Sequence, residues 1–199
     1  MMVQELNIQE ILARFNHALE QEILMRKVKL PYACCLSTEG TDGFPNARFV
    51  SLKEIRDEHF IITGTLTSRK GVEISNNEKV ALTFWWPETQ QQVRIQGVAR
   101  LLAGTWPDHY FSERNRESQI VSVVSNQGEE LTDPEELTRR FDEIAGDITA
   151  QEVKRPQNWG AYAIEPVRIE FLVFSESRFH DRTLFTLHNG RWSAIKLQP

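Results

Sequence analysis

The fold class is decided at the C-terminus by the segment Arg178-Phe-His-Asp-Arg-Thr-Leu-Phe-Thr-Leu-His-Asn-Gly-Arg-Trp-Ser-Ala-Ile-Lys-Leu197. Residues 183–188 and 191–197 are two short runs rich in apolar, aromatic and β-branched residues, which is typical of strands. Asn189-Gly190 lies between them and favours a tight hairpin turn, because both residues tolerate positive φ. An antiparallel hairpin is therefore predicted to end the chain.

Further strands are predicted upstream of this hairpin. Helical periodicity or capping patterns predict helices at residues 7–27, 68–77, 105–124 and 133–148, and a surface connection at 147–158. Strands outnumber helices and mostly adjoin their sequence neighbours, which favours a mainly β fold, an antiparallel barrel with surrounding helices, over a doubly wound sheet. The additional predicted strands cover residues 32–37, 47–54, 59–65, 80–86, 91–102, 160–164 and 167–174.

Composition narrows the possible partners. The 199 residues carry a formal net charge of −5, so the chain has no general attraction for nucleic acid or for an anionic membrane surface. Any bound anion must therefore be held by a local group of cations. No apolar run approaches the roughly 20 residues that span a bilayer, and the N-terminus is polar and periodic, so we expect a cytoplasmic protein.

The two cysteines, Cys34 and Cys35, are adjacent and lie among apolar residues. They have no partners at the spacings of a disulfide framework or a metal site. We therefore interpret both as core packing and predict no metal site.

The segment 178–182 also carries chemistry. If it is extended, Arg178, His180 and Arg182 project from one face and span on the order of 13 Å, which suits a planar anionic ligand. Arginine can bind phosphate or stack on a ring, and histidine can donate, accept or transfer a proton. The alternative is a solvated edge strand in which Asp181 offsets its neighbours.

Two other groups of cations suggest a phosphate site. Arg48 and Lys53 lie near the ends of one predicted strand, and Arg69 and Lys70 occupy the first turn of a helix, where backbone N–H groups favour anions. Positions 48 and 53 are an odd number of residues apart, so both side chains can reach one ligand only if the strand bulges or ends between them. Unrelated surface cations are the alternative.

Tyr110, Arg114 and Ser118 recur every four residues and would form one stripe on a continuous helix. Such a stripe could hold a second phosphate, and a solvated helix face is the alternative. Gln92 and Gln127 are amides that could read the edge of a heterocycle, but single glutamines are weak signals.

Taken in order, these groups resemble the pyridoxamine 5′-phosphate oxidase family. The resemblance implies one FMN-binding split-barrel domain over residues 1–199, with an N-terminal helix at 1–27 and the barrel and C-terminal oxidase region at 28–199. It also implies a homodimer with two FMN sites at the subunit interface. The matching motifs are Arg48-Phe-Val-Ser-Leu-Lys53, Thr67-Ser-Arg-Lys70, Gln91-Gln-Val-Arg-Ile-Gln-Gly97, Tyr110-Phe-Ser-Glu-Arg114, Glu117-Ser-Gln-Ile120, Ser125-Asn-Gln127, Trp159-Gly160, Ile169-Glu-Phe171, Arg178-Phe-His-Asp-Arg182 and Leu197-Gln-Pro199.

The resemblance further implies oxidation of pyridoxamine or pyridoxine 5′-phosphate to pyridoxal 5′-phosphate, with O2 as acceptor and H2O2 as product. By similarity, Arg178 and His180 are the catalytic pair beside the pyridine ring. By the same resemblance, the residues that bind the substrate phosphate are Lys53, Tyr110, Arg114 and Ser118. The FMN positions are Arg48, Lys53, Thr63, Arg69, Lys70, Gln92, Gln127, Leu172 and Arg182.

The chain departs from the family pattern at the cofactor positions. Leu172 stands where the family usually has tryptophan, Thr63-Gly64 replaces a Tyr-Thr pair, and Gly128 replaces a serine. Two alternatives therefore stay open. One is a related FMN oxidase of the phenazine-pathway type, which acts on another planar anionic substrate and tends to lose the tyrosine, arginine and serine stripe. The other is a non-catalytic flavin- or vitamer-binding protein.

Overall fold

The computed structural model describes residues 6–146 and 152–199, and its centre is an antiparallel β-barrel. The sheet order is β3-β2-β1-β4-β5-β6-β7-β8, and an additional β3–β6 pairing closes the first six strands into the barrel. The predicted fold class is thus confirmed, with the C-terminal hairpin extending the sheet. The strands are β1 (Ala33–Glu39), β2 (Pro45–Arg56), β3 (His59–Thr65), β4 (Lys79–Trp86), β5 (Gln91–Leu101), β6 (Trp159–Val173), β7 (Asp181–His188) and β8 (Arg191–Leu197).

Helices cover the barrel where its apolar side chains would otherwise meet water. The first helix begins with a capping box between Asn7 and Glu10 and inserts Phe15 into the barrel core. The Phe15 ring packs edge-on against Phe60 and Phe84, with centroid distances of 5.2 and 5.0 Å. The helices are α1 (Ile8–Leu24), α2 (Arg69–Asn76), α3 (Trp106–Ser112), α4 (Arg116–Val124) and α5 (Pro134–Gly146).

A second, smaller core lies outside the barrel against strands β3 and β6. There α3 and α4 contribute Tyr110, Phe111 and Ile120, which are buried against Trp159. The Phe111 and Trp159 rings meet edge-on with a centroid distance of 5.1 Å. This packing holds the two helices beside the β3–β6 seam, where the functional groups described below collect.

The predicted helix at 105–124 is two helices. Asn115 has extended backbone angles, φ −60° and ψ 151°, and its side chain accepts a hydrogen bond from the backbone N of Ser118. This N-cap starts α4 afresh, because an Asn side chain can satisfy one of the free N–H groups of a new helix. Tyr110 and Ser118 therefore lie on different helices.

The predicted break in the sixth strand is absent. Residues 160–164 and 167–173 belong to one strand, β6, which ends one residue before the predicted end at 174. Pro166 pairs where the β5–β6 register shifts between Gln96 and Gly97. The irregularity accommodates a residue that cannot donate to the ladder. The predicted helix at 133–148 ends at Gly146, and residues 147–151 of the predicted connection lie outside the described residues.

The hairpin turn is confirmed, since Asn189 and Gly190 have φ values of 50° and 75°. Cys34 is fully buried, and burial raises the pKa of its thiol to about 12. Cys35 is only half-buried, so the core-packing interpretation is wrong for it, because successive strand residues point to opposite faces. Within the described ranges, none of the helices is long and apolar enough to cross a membrane.

Candidate functional site

A cleft of ≈ 450 Å³ lies between strands β2 and β3, the start of α2, and α4. It brings together side chains that are far apart in the sequence, and its four cations come from β2, from α2 and from the loop between α3 and α4. Six residues predicted for the cofactor or the substrate line it: Arg48, Lys53, Thr63, Lys70, Arg114 and Gln127.

A register shift explains how Arg48 and Lys53 reach the same cleft. The β2–β3 pairing is regular from Arg56 to Glu54, then shifts between Glu54 and Leu52, which leaves Lys53 unpaired. A bulge of this kind inserts one residue and changes the alternation of the side chains that follow. The geometric condition set by the odd spacing is thus met.

Behind Arg48 lies a buried carboxylate that no motif indicated. Glu73, which is 1% exposed, accepts hydrogen bonds from Arg48 Nη2 at 2.8 Å, Arg69 Nε at 3.1 Å, Asn46 Nδ2 at 2.6 Å and Thr38 Oγ1 at 2.5 Å. Burial acts to raise the pKa of Glu73, but the bonds from Thr38 and the two arginines outweigh it and lower the pKa. The four-residue spacing from Arg69 was the only sequence signal for this role.

Lys70 has a different environment, although it follows Arg69 directly. The side chain is buried, and its ammonium donates to Ser68 Oγ at 2.9 Å and to Gln127 Oε1 at 2.7 Å. Burial and the nearby charge of Arg48 lower the pKa of Lys70 to about 8. Arg69, by contrast, is exposed, does not line the cleft and also pairs with Asp42 at 3.5 Å.

Two of the departures from the family pattern have local physical reasons. A Cβ on Gly64 would lie 2.7 Å from Cε of Lys70 and 3.1 Å from its Nζ, so the glycine leaves room for the end of the lysine. Gly128 has φ +97°, a conformation that side chains other than glycine rarely adopt. Gly64 therefore fits this chain's own cleft, and Gly128 fits a turn whose backbone favours glycine.

Arg114 is a partly satisfied cation of the cleft. Its Nη2 donates to the carbonyl oxygen of Ser118 at 3.0 Å and to Ser122 Oγ at 3.3 Å, while its buried Nε has no hydrogen-bond partner. Burial lowers the pKa of Arg114, and burial together with the charge of Arg114 lowers the pKa of Lys53. An anion bound between these two side chains would satisfy both, so the donor set fits a phosphate or a carboxylate.

The predicted stripe of Tyr110, Arg114 and Ser118 is not formed, because α3 ends at Ser112 and α4 begins at Arg116. The hydroxyl of Tyr110 donates to Glu54, and neither Tyr110 nor Ser118 is among the side chains that line the cleft. Ser122, one turn after Ser118, does line it. Sequence reasoning missed Ser122, since its position depends on where α4 starts.

A second group of predicted residues lies on the outer face of the sheet. Gln92, Leu172 and Arg182 are direct neighbours in the β5–β6–β7 register, so their side chains share one face. Arg182 donates through Nε and Nη2 to Oε1 of buried Glu170 at 3.1 and 2.8 Å, and Arg94 donates to Oε2 at 2.6 Å. Glu170 thereby fixes the guanidinium of Arg182, as Glu73 fixes that of Arg48.

The extended interpretation of residues 178–182 is wrong, because β7 begins only at Asp181. Arg178 is exposed and has φ 66°, so the chain turns at this residue and the side chains do not alternate along a strand. His180 lies at the end of the turn, where its Nδ1 accepts a hydrogen bond from the backbone N of Ser175 at 3.1 Å. The neutral ring consequently carries its proton on Nε2, which is left to donate outward.

The two groups are separate within one chain, because the cleft lining includes none of the residues of the outer-face group or of the 178–180 turn. The cleft nevertheless opens towards the outer face, since Phe49 and Ser51 line it. That face carries exposed apolar side chains, with Phe49 79%, Trp85 47% and Ile195 56% exposed. In residues 6–146 and 152–199 there is no cluster of three or more His, Cys, Asp or Glu side chains suited to a metal ion.

Comparison with known proteins gives consistent similarities. The family model described as pyridoxamine 5′-phosphate oxidase matches residues 21–146, and that described as the pyridoxine 5′-phosphate oxidase C-terminal dimerisation region matches residues 159–199. A Nostoc punctiforme protein named pyridoxine/pyridoxamine 5′-phosphate oxidase is 40% identical over 170 residues, which are 85% of this chain and 79% of that protein. A Rubrobacter xylanophilus protein of the same name is 38% identical over 179 residues, 90% of this chain and 82% of that one.

Among solved structures, PhzG from Burkholderia lata in complex with tetrahydrophenazine-1-carboxylic acid superposes with a TM-score of 0.89 at 29% identity. The match covers 94% of this chain and 92% of that chain. An FMN-binding protein from Nostoc punctiforme, related to pyridoxamine 5′-phosphate oxidase, has a TM-score of 0.77 at 16% identity and shares the fold.

Proposed function

The chain belongs to the pyridoxamine 5′-phosphate oxidase family of FMN-dependent oxidoreductases, and from this premise we propose that it oxidises pyridoxamine or pyridoxine 5′-phosphate to pyridoxal 5′-phosphate. The observation that carries the proposal is the cleft lined by both Lys53 and Arg114, where burial and the charge of Arg114 lower the pKa of Lys53 although Glu113 acts to raise it. The buried, unpaired Nε of Arg114 supports an anionic substrate at this place.

The cofactor residues present a donor set that fits FMN. Arg48 and Lys70 would hold its phosphate, Gln127 would contribute an amide, and Lys53 and Thr63 line the same cleft. Arg69, at the start of α2, would add positive charge from outside the cleft lining. When bound, FMN supplies the two-electron acceptor for the substrate, and its reoxidation by O2 releases H2O2. The protein contributes alignment and charge neutralisation.

The substrate phosphate is assigned to Lys53 and Arg114, and the pyridine ring to Arg178 and His180. Tyr110 and Ser118 are kept as further phosphate contacts on the resemblance alone, since neither lines the cleft. His180 offers Nε2–H as a donor because Nδ1 is occupied by the Ser175 amide, so its role is to orient the substrate, without acting as a strong base. Arg178 stands exposed at the tip of the turn and would close over the ring, favouring the reactive geometry.

A homodimer is part of the proposal, because the outer-face group cannot contribute to the cleft of its own chain. A second copy packed on the apolar outer face would bring its Gln92, Leu172 and Arg182, together with its 178–180 turn, to the cleft, which is open on that side. The match of residues 159–199 to a dimerisation region supports this arrangement. A cytoplasmic location also belongs to the proposal, and it rests on the sequence alone.

One other activity has specific support. The similarity to PhzG over nearly the whole chain favours oxidation of another planar anionic substrate, such as a carboxylic acid of the phenazine type. Both substrates would need the cations of the cleft, so the cleft does not discriminate between them. The two are separated by which compound reduces the bound flavin.

The test is anaerobic addition of pyridoxine 5′-phosphate to the yellow protein. Loss of the oxidised-flavin absorbance would support the proposal, and a spectral shift without reduction would instead indicate a non-catalytic vitamer-binding protein. If a dihydrophenazine carboxylic acid reduced the bound flavin and neither vitamer phosphate did, the phenazine-type oxidation would be the function. Pyridoxal 5′-phosphate serves as the control, because it is the product of the proposed reaction.

A further inference from the structure

The residue that follows the bulge at Lys53 holds an unusual position. Oε1 of Glu54 accepts hydrogen bonds from Nε and Nη2 of Arg56, at 3.0 and 2.6 Å, and from the hydroxyl of Tyr110. Three donors therefore converge on one carboxylate oxygen of the residue next in the chain to Lys53, although neither Glu54 nor Tyr110 lines the cleft. A hydroxyl has a single proton to donate, so Tyr110 cannot donate to Glu54 and to a substrate oxygen at the same time.

Both partners of this contact keep the protonation states that it requires. Burial raises the pKa of Tyr110, and the hydrogen bond to Glu54 adds to the effect, giving a value of about 12. Burial acts to raise the pKa of Glu54, but the hydrogen bonds from Tyr110 and Arg56 outweigh it and lower the pKa. A neutral phenol thus donates to a carboxylate, which is a charge-assisted hydrogen bond of the stronger kind.

The surroundings hold this arrangement in place. The guanidinium carbon of Arg56 lies 3.4 Å from the centroid of the Trp106 ring and 5.8 Å from that of Tyr110. The Tyr110 ring is 1% exposed and belongs to the small core around Trp159. Arg56 is accordingly occupied by Glu54 and Trp106, and it is not among the residues lining the cleft.

We propose that Glu54 is a specificity-determining residue, which competes with the substrate's anionic group for the hydroxyl of Tyr110 and so weakens the binding of phosphate. The inference rests on the proposed function. Lys53 and Arg114 provide the main attraction for the anion, and Tyr110 contributes only to the extent that the anion displaces Glu54. The charge of Glu54, next in the chain to Lys53, opposes a phosphate dianion as well.

A double-mutant cycle measures the competition. The FMN-loaded protein, Glu54→Ala, Tyr110→Phe and the double variant are titrated with pyridoxal 5′-phosphate, and the dissociation constants are compared with those for pyridoxal, which lacks the phosphate. We expect Glu54→Ala to lower the dissociation constant for pyridoxal 5′-phosphate by about threefold to tenfold, and the constant for pyridoxal by less. Tyr110→Phe should weaken the binding of pyridoxal 5′-phosphate in both backgrounds, and the factor should be at least about fivefold larger in the Glu54→Ala background than in the original protein.

Glu54→Gln is the matched control, because glutamine removes the charge but keeps an oxygen that accepts from Tyr110. Glu54→Gln should strengthen the binding of pyridoxal 5′-phosphate, but the effect of Tyr110→Phe on this binding should be no larger than in the original protein. Thermal unfolding with FMN present checks that each variant is folded, and Glu54→Ser replaces Glu54→Ala if the latter is not. Equal losses from Tyr110→Phe with and without Glu54 would overturn the inference.

Failure of the proposed function would look different. If the FMN-loaded protein bound neither pyridoxal 5′-phosphate nor pyridoxal, the substrate assignment would be wrong. The same four proteins would then be titrated with inorganic phosphate, which requires only the anion site. Coupling between positions 54 and 110 in that titration would support the competition, and additivity would refute it.

Discussion

The pH dependence of FMN binding provides the sharpest test of the cofactor cleft. Lys70 is buried and its pKa is about 8, far below its usual value, since burial and the charge of Arg48 both disfavour the ammonium. In the proposed cofactor site the phosphate of FMN contacts that ammonium, and the phosphate remains a dianion from pH 7 to pH 9 because its second pKa is about 6. Raising the pH should therefore remove a cofactor contact within an accessible range.

The size of the effect follows from the titration. A lysine with a pKa of about 8 is roughly 90% protonated at pH 7 and roughly 10% protonated at pH 9. If the bound state keeps Lys70 charged, the Kd for FMN should rise about tenfold over this interval. A charge-assisted hydrogen bond is typically worth about 1.5–3 kcal/mol, so the loss would level off between about 10-fold and 100-fold at higher pH.

The assay is titration of the apoprotein with FMN, followed by quenching of flavin fluorescence at pH values from 7 to 9. Lys70→Met should bind weakly at pH 7 and show little further loss, and Lys70→Arg should keep affinity across the range, because arginine stays charged. A Kd for the original protein that does not change between pH 7 and pH 9 would refute the assignment of Lys70 to the phosphate.

Apoprotein stability should change with the opposite sign. The folded-state pKa of Lys70 lies below its unfolded value of about 10.4, so the unfolded chain binds more protons between about pH 8 and pH 10.4. This lysine therefore makes the free energy of unfolding of the apoprotein rise with pH in that window, while affinity for FMN falls. Chemical denaturation of the apoprotein and of Lys70→Met at several pH values would show whether the rise depends on position 70.

Three further predictions concern the outer-face group and the 178–180 turn. Leu172→Trp should lower the Kd for FMN by about threefold to tenfold, since an aromatic contact adds about 0.5–1.5 kcal/mol. It should raise Tm only when FMN is present, and an equal rise in Tm without FMN would show that position 172 is ordinary packing. Glu170→Gln should weaken the binding of FMN several-fold, because it frees Arg182, whereas Arg94→Gln leaves the Glu170–Arg182 pair intact and should not. Equal losses of FMN affinity in the two variants would contradict a positioning role for Glu170. His180→Ala should weaken substrate binding and slow flavin reduction together in stopped-flow measurements, and abolished reduction with normal binding would instead assign proton transfer to His180.

The barrel and most of the cleft could be predicted because their signals are local. Alternation marks the strands, and the Asn189-Gly190 pair marks a turn whose residues both have positive φ. Arg48 and Lys53 reach one cleft only through the β2–β3 register shift, and their spacing had already required such an irregularity. The stripe of Tyr110, Arg114 and Ser118 is not formed because the side chain of Asn115 caps a new helix, a local signal that four-residue periodicity does not detect.

The buried carboxylates were missed for a different reason. Glu73 and Glu170 are single acidic residues within an amphipathic helix and a strand, and their roles depend on partners from other elements. Glu170 pairs with Arg94 across β5 and β6, so its contact follows from register, which a sequence without the sheet order does not define. Glu54 becomes a partner of Tyr110 only after the β2 bulge and the small core have formed.

These carboxylates divide the site's cations into two kinds. Arg48 and Arg182 are each held by a buried glutamate, so their orientation is set before any ligand arrives, and part of their charge is already neutralised. Lys53, Lys70 and Arg114 have no carboxylate partner among the hydrogen bonds and ion pairs described above, and burial lowers the pKa of each. An anion stabilises a poorly solvated charge more than a paired one, because the paired charge gains less. The unpaired cations should therefore supply most of the affinity for phosphate, and the paired arginines should chiefly fix where the ligand lies.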